Sequence, residues 1–206
     1  MKISLNGKEY ESGKITREKY KKFAVVFEKL LGKEKDAQTF SDEDLDEMVE
    51  AIVVVYGNQF TFDEANDALD EISSILLNFS LINAEILNKT NLQAHEVAKT
   101  KKISTIVIAG REYESGKIGR KKYGAFRRVY NELIQPDKQT YTDEELDKMV
   151  GAIVEIYDNQ FTFDEANAEL EDVAQIIFNF ALINANIIKR MADQAEDAKK
   201  NLSSRA

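Results

Sequence analysis

The sequence predicts a mainly α protein made of two tandem copies of a small helical module, each with a short N-terminal β-hairpin. Three observations carry this. The 206 residues include one proline and nine glycines, so long stretches are free of helix breakers. Apolar residues recur at spacings of three and four, the period of a helix face. The chain also repeats itself, and a repeat decides the architecture before any element is read. Glu9-Tyr10-Glu11-Ser12-Gly13-Lys14-Ile15 returns as Glu112-Tyr113-Glu114-Ser115-Gly116-Lys117-Ile118, and Asn58–Asn66 returns letter for letter as Asn159–Asn167. Between these blocks the offset falls by two residues, where Gly32–Gln38 faces the shorter Gln135–Gln139. Loops absorb such differences. The expected division is a first module over 1–89, a polar linker over 90–102 that is helical in part, and a second module over 103–206 ending in a polar tail.

Each module opens on the hairpin. Ile3 and Leu5 alternate into Asn6-Gly7, the pair that best tolerates the positive φ angles of a two-residue turn. Ile106-Val107-Ile108 and Ala109-Gly110 form the weaker second version. A helix follows, with Thr16 at its N-cap and Tyr20, Phe23, Phe27 and Leu30 on its apolar face, repeated by Tyr123, Phe126, Tyr130 and Leu133. The second helix has the strongest start signal. Ser41-Asp42-Glu43-Asp44 and Thr142-Asp143-Glu144-Glu145 set a hydroxyl cap before acids in the first turn, which suits the helix dipole. It should bury Leu45, Met48, Val49, Ile52 and Val53 and end near Gly57 or Asp158. Thr61 with Glu64, and Thr162 with Glu165, then read as capping boxes for a third helix from Phe62 to about Asn88, long enough to bend or split near Asp70. Phe23, Phe27, Met48, Ile52, Leu69 and Leu76, with their equivalents, are the expected core.

Composition narrows the chemistry. A net charge of −9 repels phosphate backbones, which argues against nucleic acid as a partner. No stretch reaches the roughly 20 apolar residues of a membrane span, and the N-terminus lacks a signal-peptide core. The chain has no cysteine, so disulfides and thiolate sites are absent. A cytoplasmic location fits these features. The acidic run Asp42-Glu43-Asp44-Leu45-Asp46 starts like a calcium loop, but Glu47 and Val53 stand where that loop needs glycine and a bidentate glutamate. His95 is the only histidine and has no identifiable catalytic companions. No phosphate-binding glycine motif occurs. The expectation is therefore no catalytic residue, no metal and no cofactor.

Binding is the remaining class of function. The third helix carries Phe79, Ile82 and Ile86, repeated as Phe180, Ile183 and Ile187, with Asn83 and Asn184 beside them. That is more apolar surface than a small core needs, and these eight residues are the candidate partner-binding positions. Of Phe60 and Phe62, and of Phe161 and Phe163, at least one in each pair reads instead as a hydrophobic staple beside the capping threonine. Asn78 and Asn179, like Asn83 and Asn184, interrupt the third helix as solvated residues, as caps of a kink, or as part of a surface that closes over a partner. Charge is segregated as well. The first helix is basic at Lys14, Arg17, Lys19, Lys21 and Lys22, and again at Arg120, Lys121, Lys122, Arg127 and Arg128, whereas the second opens acidic. Such faces are either plain solvated surface or docking patches, within the chain or between chains.

The strand pair around Ile3–Tyr10, the apolar helix ending in Val54-Val55-Tyr56-Gly57, and Asn58-Gln59-Phe60-Thr61-Phe62-Asp63-Glu64 leading into another helix together resemble the tail assembly chaperones of long-tailed phages and prophages of Gram-positive bacteria. Ile156-Tyr157-Asp158 through Phe163-Asp164-Glu165 repeats the pattern. The resemblance implies a small, non-catalytic helical protein of the host cytoplasm that binds the tape measure protein, aids assembly of tail-tube subunits around it, and is absent from the mature virion. It leaves homo-oligomerisation open. The alternative is a self-associating structural component of a tail, or another helical protein-interaction module. The usual family member is a single module, so the tandem form departs from the pattern.

Overall fold

The computed structural model describes residues 1–35, 39–100, 105–135 and 138–203. It is mainly helical with two small hairpins, as the sequence predicts. The chain divides into two compact units. The first comprises Met1–Lys89, Asp137–Leu146 and Glu171–Ala174, and the second Thr90–Pro136, Asp147–Leu170 and Gln175–Ala206.

In the first unit β1 (Lys2–Leu5) pairs antiparallel with β2 (Lys8–Glu11), Ile3 opposite Tyr10. The turn works because Asn6 and Gly7 both adopt positive φ, 49° and 78°, as a tight hairpin requires. α1 (Arg17–Lys35) and α2 (Asp42–Val55) follow. Ser41 caps α2 with a reciprocal box to Asp44. The helix stops where Gly57 and Asn58 turn left-handed, their N–H groups donating to the carbonyls of Val54 and Val53 at 2.9 and 3.0 Å. This is the Schellman arrangement, which satisfies carbonyls a helix end would otherwise leave bare.

The expected third helix is split. α3 (Phe62–Ala68), capped by the Thr61–Glu64 box, ends at Leu69, and α4 (Ile72–Ala84) starts afresh. The break resets the phase of the apolar face, so Ile75 is buried and Leu76 only half-buried. Phe27 is also half-buried, while Phe23, Met48, Val49 and Ile52 are fully enclosed. The core closes where the Phe23 and Phe79 rings stand 4.8 Å apart and Phe27 stacks on Phe79 at 5.8 Å. A π-helical turn, Glu85–Lys89, continues α4.

The second unit contains α5 (Thr90–Thr100), which occupies most of the stretch expected to be linker, with residues 101 and 102 outside the described set. β3 (Thr105–Ile108) and β4 (Arg111–Glu114) form its hairpin. Ala109 sits at φ 49° there, a conformation an L-residue with a Cβ resists. Its N–H donates to Glu169 Oε2 at 3.1 Å. α6 (Arg120–Leu133), α7 (Asp143–Ile156), α8 (Phe163–Glu169) and α9 (Val173–Ser203) repeat the helix order. Asp158 and Asn159 make the same left-handed stop as Gly57 and Asn58. Ala94 and Ala98 of α5 pack on Ala181, Leu182 and Ala185 of α9.

Candidate partner-binding surfaces

The candidate residues of the third helix lie inside. Phe79, Ile82, Asn83 and Ile86 are buried in the first unit; Phe180, Ile183 and Ile187 are buried in the second, and Asn184 is half-buried. Their apolar area fills the space between helices: Phe79 against Phe23 and Phe27, Phe180 against Phe126 and Tyr130 at 5.0 and 5.5 Å. A partner that used these side chains would first have to displace that packing. Asn83 Nδ2 donates to Gln139 Oε1 at 3.3 Å, and Asn184 bonds the Tyr130 hydroxyl, whose burial raises its pKa. Asn78 and Asn179 each donate to the carbonyl four residues earlier. The outward side of α4 does present apolar groups, because Leu77 and Leu81 are more than half exposed.

The first unit carries a concave, mostly apolar groove of about 510 Å³ between α1 and α2. Val25, Val26, Ala51 and Val54 line it, with Glu18, Lys22 and Glu50 along its rim. Val25 is 64 % exposed and forms part of the groove wall. Sequence reading missed this groove because it looked for the densest apolar stripe; the signal was Val25 itself, out of phase with Phe23 and Phe27. At the matching positions the second half has Arg128, Val129, Ala152 and Glu155, so the apolar lining is broken by two charges.

A second feature of the first unit is a polar joint. The N–H of Tyr141 donates to the buried Tyr20 hydroxyl at 2.9 Å, and burial holds that phenol well above its ordinary pKa. Arg17 donates to the Asp143 carbonyl at 3.4 Å, Lys21 lies 3.2 Å from the Asp143 carboxylate, and Lys14 lies 3.3 Å from Glu171. Val173 donates to the Ile15 carbonyl at 3.0 Å beside an antiparallel bridge between Thr16 and Asp172. Asp172 is half-buried there, and desolvation raises its pKa. The basic first helix and the acidic segments thus meet, one of the two outcomes the charge pattern allows.

The acidic run serves structure. Asp44 is enclosed and accepts from the Ser41 N–H at 2.8 Å and from Lys33. Lys33 first, then the Ser41 N–H, hold its carboxyl far below the usual carboxylate range. His95 is exposed. Among the described residues no group of three or more His, Asp or Glu is placed to hold a metal ion, and no helix is long and apolar enough to cross a membrane.

Two small hairpins, threonine-capped helices and, in the first unit, an apolar groove and a polar joint define the class at this level: a mainly helical protein. The family model for phage tail chaperone proteins matches residues 1–103, half of the chain, and the protein belongs to that family. No curated protein and no solved structure shows a significant match.

Proposed function

We propose that this protein is a non-catalytic tail assembly chaperone that binds the tape measure protein in the host cytoplasm, keeps it soluble while tail-tube subunits gather around it, and leaves before the virion is complete. The family match over residues 1–103 carries this reading. The same half of the chain holds the groove lined by Val25, Val26, Ala51 and Val54. A helix presenting apolar anchors at helical spacing suits such a groove, and the Glu18 and Glu50 carboxylates on the rim suit a partner helix with flanking basic residues. Phe79 backs α1 through its packing on Phe23 and Phe27, and Phe180 is its counterpart against Phe126 and Tyr130.

Co-expression with the tape measure protein of the same genome, followed by pull-down, tests the reading. Wild-type chain should keep the tape measure soluble and co-purify with it, and Val25→Asp should weaken the complex at least ~tenfold, as for removal of a central apolar anchor. A tape measure equally insoluble with and without the chain would overturn the proposal. Finished tails should lack the protein; finding it there in stoichiometric amounts would favour a structural tail component.

A further inference from the structure

The joint in the first unit has two sides: an acceptor, Lys14 to Tyr20, and an insert made of the Tyr141–Asp143 and Glu171–Val173 segments. The repeat writes both sides twice. The counterpart acceptor, Lys117, Ile118, Gly119, Arg120 and Tyr123, lies in the second unit and borders an open pocket of about 440 Å³ with Arg190. Ile15 and Tyr20 are buried, whereas Ile118 and Tyr123 are only half-buried. The counterpart insert is Phe40–Asp42 with Asp70–Ile72. Tyr141 and Val173 are buried, yet Phe40 is half-buried and Ile72 is 56 % exposed. One chain therefore presents an open acceptor and an exposed insert of matching pattern.

We propose that the second-unit pocket is a docking site for a second copy of this chain, which inserts its Asp70–Ile72 and Phe40–Asp42 segments. The chemistry carries over because the joint uses backbone at its centre. Ile118 offers the carbonyl that Ile15 gives to Val173, and the Ile72 N–H, in the first turn of α4, has no partner within its helix. Tyr123 offers the hydroxyl that Tyr20 gives to the residue 141 N–H, so Phe40 serves as well as a tyrosine would. Lys117 and Arg120 meet Asp70 and Asp42, replacing the Lys14–Glu171 and Arg17–Asp143 contacts. The exposed Ile72 side chain fills the pocket against Tyr123 and Ile187. Because the two surfaces differ, the contact is heterologous, and copies add head to tail into a ring or an open array.

Sedimentation of the full chain over a concentration series tests this without any partner protein, so its outcome is independent of tape measure binding. Wild type should grow beyond a dimer, less so at high salt because charge pairs contribute. Arg120→Glu disables the acceptor and Ile72→Arg the insert. Both positions are exposed, and far-ultraviolet dichroism checks that each variant folds. Each alone should associate at least ~tenfold more weakly, while an equimolar mixture should form a one-to-one dimer and nothing larger, since one intact joint remains. Wild type that stays monomeric at about 1 mM, single variants that assemble like wild type, or a mixture that fails to dimerise while wild type assembles would each overturn the proposal.

Discussion

The two halves of the chain share their punctuation and differ in their faces. Both open on a hairpin with two positive-φ turn residues, both end the second helix on a left-handed pair, and both restart on a threonine–glutamate box. Their lateral surfaces diverge. The groove lined by Val25 and Val54 meets Arg128 and Glu155 at the matching positions, and the buried Tyr20 corresponds to a half-exposed Tyr123. Backbone requirements at turns and caps admit few residues, whereas a helix face can change one side chain at a time. The skeleton is therefore kept while one half specialises.

The comparison can be broken most directly in the core. Ile52 and Ile153 are both fully buried, so Ile52→Ala and Ile153→Ala should each cost about 2–5 kcal/mol by chemical denaturation. Losses below about 0.5 kcal/mol at either site would end the equivalence of the two cores. Smaller, and unequal, effects are expected at the tyrosines. Tyr20→Phe removes the hydroxyl that accepts from the Tyr141 N–H and should cost about 1–3 kcal/mol. Tyr123→Phe should stay within about 0.5 kcal/mol in dilute monomer. Equal costs would mean that the two acceptors are alike in solution.

Much of the fold was legible in the sequence, and the reason is locality. Ser41, Thr61, Thr162, Asn6-Gly7 and Gly57-Asn58 act on backbone groups within a few residues, so their consequences can be read without a structure. The candidate binding residues were not legible in that way. Phe79 and Phe180 look like surplus apolar area until Phe23, Phe27, Phe126 and Tyr130 arrive from other helices to cover them. The joint at Tyr20 depends on segments more than a hundred residues away, and only the segregation of charge hinted at it.

Two finer tests concern electrostatics and strain. Asp44 titrates below its unfolded value, so the stability it contributes is present in full above the ordinary carboxylate pKa of about 4 and fades as pH falls through the folded-state value. Asp44→Asn should flatten the acid limb of a stability–pH curve measured between neutral and acid pH; an unchanged limb would show that the Lys33 and Ser41 contacts do not persist in solution. The smallest expected effect is at the second hairpin. Ala109→Gly relieves a Cβ held at φ 49° and should raise stability by up to about 1 kcal/mol, whereas Asn6→Gly should do little. A loss at Ala109→Gly would mean that the turn relaxes in solution.

The identical stretches Asn58–Asn66 and Asn159–Asn167 give the chain an internal measure of mutational tolerance. Within nine residues each must supply a left-handed asparagine, a buried phenylalanine, a capping threonine, its glutamate and the enclosed Ala65 or Ala166. So many demands on so few positions leave drift almost nothing to act on, while the helix faces on either side have been free to wander.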